Sequence, residues 1–297
     1  MDGTYDRDLE KLSEEARCWL KQLQRKPYTQ QVDGVISTAI STEEWVQGWS
    51  KMRESTASAP GSHYGHWKTA AVVYRLPEDH VDYFPELAVT YAAMMSLPLK
   101  HGFAPKRWCR CIDAIIEKIS GRPIIEKLRI IMVYQVDLNF ALKLIWGKRL
   151  VRHAESNRAL GNDNHGSRPG RQATDALLEK LLIYEFARLT RTSAISLDND
   201  ARSCYDRIIK TLAMITCIAA GLSLAAAAMH NKTHHKMKHQ IKSNQGLFRP
   251  YFGTDTDELE GSGQGSGGSP GIWLLYSVSM LTAFQFFSSG MELMSPY

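Results

Sequence analysis

Apolar residues recur at steps of three and four over residues 8–25, at Leu9, Leu12, Ala16, Trp19, Leu20 and Leu23, and this spacing predicts an amphipathic helix. The stretch ESTASAPGSHYG, 54–65, interrupts any period and reads as loop. Residues 84–98 restore a helical pattern that should stop near Pro98, whose ring opposes a continuing helix. WCRCIDAIIEKISGRP then predicts a strand closed by a turn at Gly121. LRIIMVYQ, 128–135, is rich in β-branched residues and reads as the returning strand of a hairpin. DLNFALKLIWGKRLVRHAE and ATDALLEKLLIYEFARLT, 173–190, are helical, with the loop GNDNHGSRPG, 161–170, between them. AISLDND, 194–200, is a short strand, and SCYDRIIKTLAMIT is the helix after it. GSGQGSGGSP, 261–270, is loop-like.

The strand 194–200 gathers carboxylates. Alternation turns Ile195 and Leu197 to one face and Ser196, Asp198 and Asp200 to the other. Tyr205, Ile208, Ile209 and Leu212 then form the apolar stripe of a helix that packs back on the strand. Asp200 and Asp198 thus sit at a strand end on an open sheet face. Their repulsion is relieved by a cation, and hard oxygen ligands favour Mg²⁺. On these residues alone the alternative is that Asp200 or Ser203 caps the helix.

Composition adds a basic distribution. The chain has 297 residues, 44% hydrophobic, with a net charge of +5, enough for a sizeable core. Residues 100–129 hold eight Lys or Arg against three acids. Residues 230–249 hold Lys232, Lys236, Lys238, Lys242 and Arg249 with no acid, plus four histidines. Such stripes fit nucleic acid or a solvated face. His230, His234, His235 and His239 include pairs at helical zinc-ligand spacing. They lack an evident Cys or acid partner, so a segment facing nucleic acid is the expectation. The five cysteines show no zinc-like spacing, Cys109-Arg-Cys111 being too tight for a knuckle. An odd count and an acidic first twenty residues predict an intracellular protein, nuclear or cytoplasmic, not secreted. Two uncharged stretches, 211–229 and 271–291, have the length of membrane spans. Alanines dilute the first and Gln285 and serines the second, so both are expected as buried helices, with no membrane partner.

Five blocks carry a family resemblance, one of them more loosely. Asp200-Ala-Arg-Ser-Cys-Tyr205-Asp206 has the form D-x4-[FY]-D and resembles motif A of reverse transcriptases. GSRPGRQATDAL, 166–177, resembles the G-F-R-P-G-R-S-T-x-D-A-L block of non-LTR retrotransposon and group II intron enzymes. GSGQGSGGSP resembles motif B, G-x-x-Q-G-x-x-x-S-P, position for position. Lys118 with LRII at 128–131 resembles the fingers hairpin, and SAPGSHYGHWK, 58–68, more loosely the first fingers block. The resemblance covers roughly residues 55–290.

It implies an α+β fold, the fingers and partial palm of a right-hand polymerase, with an antiparallel palm sheet backed by helices. Residues 1–54 would be a helical extension, 55–190 the fingers-like region and 191–297 the partial palm with motifs A and B. The implied activity is RNA-directed DNA synthesis on an RNA template and DNA primer, using deoxynucleoside triphosphates and two Mg²⁺ ions. The catalytic Asp200 and the Ala201 carbonyl would be metal ligands. Lys118 and Arg129 would hold the triphosphate, Tyr205 would stand at the sugar gate, and Gln264 and Gly265 would lie along the nucleotide and template base. Asp206 would orient its helix.

The chain departs from the pattern in places. Asn164-His165 replaces a Gln-aromatic pair, Ser167 replaces a phenylalanine, and the first fingers block lacks its aspartate. No Asp-Asp dipeptide, the mark of motif C, occurs in the sequence. The expectation is a domain cut short before motif C, weak or inactive alone. The alternative is a non-catalytic, nucleic-acid-binding remnant of a retroelement.

Overall fold

The computed structural model describes residues 34–59, 61–72, 86–122, 124–161, 164–193, 204–243, 245–251 and 261–287, with Ser13, Glu14 and Arg17. The helix expected over 8–25 and the strand expected over 194–200 fall almost wholly outside the described residues.

Helices α1 (Thr42–Ser50), α2 (Tyr64–Val72) and α3 (Glu86–His101) precede a hairpin of β1 (Arg110–Glu117) and β2 (Leu128–Val133). A long helix follows in three parts: α4 (Val136–Leu142), a π-helical turn pair (Lys143–Leu150) and α5 (Val151–Ser156). Then come α6 (Ala173–Thr190), a tight turn (Cys204–Arg207), α7 (Lys210–Ala219), α8 (Leu224–His235), β3 (Lys238–Ser243), β4 (Gly246–Leu247) and α9 (Ser269–Phe287).

Local chemistry sets several boundaries. Ser41 caps α1 by accepting from the Glu44 N–H while the Glu44 carboxylate accepts from the Ser41 N–H, a capping box. The expected stop of α3 at Pro98 is corrected. Pro98 sits in the last turns, and the helix ends at Gly102, where φ is +67° and the N–H donates to the Pro98 carbonyl at 2.9 Å. The hairpin turns at Gly121, as expected, with φ +76°. The helix expected from Ser203 begins only at Lys210, after the Cys204–Arg207 turn. The apolar stripe is corrected with it: Ile208 is buried but Ile209 is 48% exposed.

The sheet order is β2-β1-β3-β4. β1 pairs antiparallel with β2 and parallel with β3. The described sheet is therefore mixed; the strand 194–200, on which the antiparallel palm sheet was expected, lies outside the described residues. The parallel pairing follows from the helical crossover between β2 and β3, which returns the chain to the same end of the sheet. Strand β3 was not foreseen at all.

The core gathers aromatics from α1, α2, α3 and α4. Trp49 stacks on Phe140 at 4.6 Å and on Trp67 at 5.2 Å, and Trp45 stacks on Tyr91 at 6.0 Å. Beneath them the buried Asp137 accepts from the Trp108 indole at 2.6 Å and from Arg107. α9 packs on α7 and on the π-helical segment. The uncharged stretch 211–229 breaks at Gly221 into α7 and α8, with Ser223 capping the second. No helix among the described residues is long and apolar enough to cross a membrane. α6 matches its expected bounds, yet none of its residues is buried. Its Gln172–Asp175 capping box and the His165–Glu179 pair at 3.0 Å hold it to the chain before it.

Candidate functional site

The glycine-serine stretch is an ordered loop that fastens three parts of the chain together. At its start, Gly261 N–H donates to the Ile208 carbonyl at 2.9 Å and Ser262 N–H to the Tyr205 carbonyl at 2.8 Å. These bonds tie it to the turn that follows the aspartate-rich segment. In its middle, Met132 N–H donates to the Gln264 carbonyl at 2.6 Å, so the loop joins the outer edge of β2. The Tyr134 hydroxyl donates to the Ser262 carbonyl at 3.2 Å. At its end, Gly267 N–H donates to Asn139 Oδ1 at 2.6 Å, and Ser269 Oγ reaches the Ser262 and Gly263 carbonyls at 2.7 and 3.0 Å. A flexible linker has no such partners.

Two glycines let the loop lie this close. Gly263 has φ +75°, and a Cβ there would stand 2.3 Å from Met132 Sδ and the Tyr134 hydroxyl. Gly265 has φ +111°, and a Cβ would stand 2.4 Å from the Met132 carbonyl oxygen. The second obstacle is backbone and cannot swing aside. Gly265→Ala should therefore cost about 1–3 kcal/mol of stability. Gly121→Ala, at φ +76° with open space around its Cβ, carries only the left-handed backbone cost of about 1–2 kcal/mol and should lose less than Gly265→Ala. Equal urea midpoints for the two variants would remove the close-approach argument.

The expected site residues are placed as follows. Asp200 and Ala201 lie outside the described residues, as does Asp198. Tyr205 is half-buried, edge-on to Trp273 at 6.5 Å, and burial pushes its hydroxyl pKa up. Gln264 is half-buried and Gly265 exposed. Lys118 is exposed just beyond β1, its N–H bonded to the Lys127 carbonyl at 2.9 Å. Its charge acts on Asp206: burial raises that carboxyl above its ordinary range and Lys118 pulls it part of the way back. The tip of the basic hairpin and the turn after the aspartates thus share one neighbourhood. Arg129 is exposed in β2 opposite Ile116. Alternation puts it on the face of the hairpin opposite Met132 and shared with Ile131, whose side chain lies against Gly265 of the loop.

The histidine expectation is corrected. His230, His234 and His239 are buried, not turned toward a nucleic acid. His230 and His234 stack at 4.1 Å, and burial holds the pKa of His234 down to about 4 and that of His230 well below its ordinary value. Lys236, Lys238, Lys242 and Arg249 are exposed, and Lys232 Nζ donates to the Gly102 carbonyl at 2.8 Å. A basic cleft was missed. Lys51, Arg53 and Lys143 line it with Tyr64 and Asn139, against Gly267 at the far end of the loop. The Lys51-Met-Arg53 spacing was the one local signal; Lys143 joins them only through the fold.

Neither models of known protein families nor curated protein sequences match the chain.

Proposed function

We propose that this chain is a reverse-transcriptase-type domain that holds an RNA template and a DNA primer and adds deoxynucleotides by phosphoryl transfer. The observation that carries the reading is the loop Gly261–Ser269. It is hydrogen-bonded both to the basic hairpin and to the turn beside the aspartates. The loop, the hairpin and the Cys204–Arg207 turn therefore pack as one unit. In this reading Asp200 and the Ala201 carbonyl hold Mg²⁺, Lys118 and Arg129 take the triphosphate, Tyr205 stands under the sugar, and Gln264 with Gly265 lies against the nucleotide and template. Two bound Mg²⁺ ions would activate the primer hydroxyl and stabilise the leaving pyrophosphate. The cleft of Lys51, Arg53 and Lys143 gives a phosphate backbone a cationic track beside the same loop. An intracellular setting goes with this activity. A second reading, a non-catalytic nucleic-acid-binding module, rests on the cleft of Lys51, Arg53 and Lys143, which needs no metal site to hold a phosphate backbone.

Fluorescence anisotropy on a labelled RNA–DNA primer–template tests the shared part. Affinity should fall steeply between 50 and 200 mM salt, and each cation removed among Lys51, Arg53 and Lys143 should lower the log–log slope by about 0.9. Single-nucleotide incorporation with Mg²⁺ separates the readings. The polymerase reading expects incorporation that Asp200→Asn abolishes without loss of primer–template binding. Binding with no incorporation selects the second reading. Salt-independent or absent binding overturns both.

A further inference from the structure

A second polar cluster lies in the sheet, apart from the loop and independent of the polymerase reading. β1 and β3 run parallel with Cys111 directly opposite His239, and Asp113 follows Cys111 by two positions. Alternation therefore puts all three side chains on one face of the sheet. All three are buried, at 1%, 1% and 2% exposure for Cys111, Asp113 and His239. His239 Nδ1 stands 3.1 Å from both Asp113 carboxylate oxygens. Cys111 Sγ stands 4.0 Å from Asp113 Oδ1. The Tyr251 hydroxyl, brought in by the bridge between Tyr251 and His239, donates to Asp113 Oδ2.

One ligand atom from each of Cys111, Asp113 and His239 lies within 4.8 Å of the others. A tetrahedral zinc ion with sulfur at 2.3 Å and nitrogen or oxygen at 2.0–2.2 Å spaces its ligand atoms roughly 3.3–3.8 Å apart. The separations of 3.1 and 4.0 Å bracket that range, so small side-chain rotations close the cage. The donor set is selective as well. A thiolate beside an imidazole and a carboxylate suits zinc-class ions and not Mg²⁺. A carboxylate removed from water is stable only when paired or bound to a cation. Here an imidazole, a phenol and a thiol, from two strands and the segment after them, surround one carboxylate.

We propose that Cys111, Asp113 and His239 form a structural zinc-class metal site, with the Tyr251 phenol oxygen at the fourth position. On binding, the Cys111 thiol proton leaves to solvent and a metal–sulfur bond forms. His239 presents its Nδ1 lone pair, the proton on that nitrogen moving to Nε2. Asp113 exchanges its hydrogen bonds from His239 and Tyr251 for the ion, and the Tyr251 phenol coordinates through an oxygen lone pair and keeps its proton. The site is closed and buried, which fits a fastening role more than catalysis. It would pin the non-local β1–β3 pairing and the Tyr251 segment together.

The test uses the full chain, stripped with a chelator and titrated with Co²⁺ alone. The expected result is a single equivalent bound, with visible bands of tetrahedral cobalt and a near-ultraviolet sulfur-to-cobalt band that Zn²⁺ abolishes. Cys111→Ser should remove the sulfur band and weaken binding at least about tenfold, and His239→Gln should weaken it similarly. Cys217→Ser, at a buried cysteine in α7, should leave the spectrum unchanged. X-ray absorption of the zinc-loaded parent chain should read one sulfur and three nitrogen or oxygen neighbours, which needs no variant to fold. No sulfur band, a band that survives Cys111→Ser, or a shell of nitrogens alone would overturn the proposal. A nitrogen-only shell would place the ion on His230 and His234.

Discussion

Between pH 7 and pH 4 the protein should lose several kcal/mol of folding stability, and His230 and His234 should account for much of the loss. Both imidazoles are buried and stacked on each other at 4.1 Å. Burial is the largest cause of their lowered pKa values; neighbouring charge adds to it, from Lys210 on both and from His239 on His234. Each ring therefore stays neutral in the folded chain where the unfolded chain would protonate it. A histidine depressed in the folded state contributes stability fully above its unfolded pKa and loses it as pH falls toward the folded value. The window for His234 runs from 6.5 down to about 4. At about 1.4 kcal/mol per unit, that one group supplies roughly 3 kcal/mol. His230 moves in the same direction. Asp206 works the other way, since its raised carboxyl pKa favours the folded chain as pH drops. His234 also lies 3.5 Å from the Tyr134 hydroxyl that holds the Ser262 carbonyl, so protonation strikes the anchor of the glycine-serine loop. Urea midpoints measured from pH 7 to pH 4 should fall steeply for the parent and less steeply for His234→Gln. Identical slopes would remove the histidine pair from the explanation.

What the sequence could reveal followed the range of each interaction. The hairpin was legible because its β-branched run and its Gly121 turn act within a few residues. Helix α6 was legible because Gln172 and Asp175 mark its start and the helical period runs unbroken to Thr190. The loop at 261–270 was legible as loop, but its order was not, since its partners Met132, Tyr134 and Asn139 lie far away in sequence. β3 was invisible for a different reason. Its inward residue is His239 and its neighbours Lys238 and Lys242 face water. A polar residue on the buried side erases the apolar alternation that marks a strand. The same substitution hid the metal-type cluster: Cys111-x-Asp113 is unremarkable until β3 brings in a histidine 126 positions beyond Asp113. Ile209 failed as a core position because the Cys204–Arg207 turn delays the helix and rotates the expected stripe. The basic counts at 230–249 were correct in charge but not in direction, because strand and helix periods send lysines outward and histidines inward.

Arg168 lies in a block that the resemblance assigns to a polymerase, yet its side chain points inward. Its side chain is 4% exposed. Nε and Nη2 form a fork on the Glu155 carboxylate at 2.9 and 2.7 Å. Nη1 reaches the Gly161 and Asn164 carbonyls at 2.5 and 2.7 Å. One side chain therefore pins the Gly161 and Asn164 backbone to α5. Arg168→Ala would leave the buried Asn164 carbonyl without its donor, while the half-exposed Glu155 can return to water. The cost should be about 2–4 kcal/mol. Glu155→Ala should cost more, about 3–5 kcal/mol, because it leaves a cation buried with carbonyls alone. Arg168→Lys keeps the charge but cannot reproduce the planar fork, so it should recover less than half of the loss. A double-mutant cycle on urea midpoints measures the coupling, which should exceed about 1 kcal/mol for a pair sharing two bonds. The competing role is a phosphate contact. In that case Arg168→Ala would lower primer–template affinity and its salt slope while the urea midpoint stayed put. Loss of stability, with affinity unchanged wherever the variant is still folded, assigns Arg168 to the scaffold and leaves the cleft of Lys51, Arg53 and Lys143 as the cationic surface beside the loop.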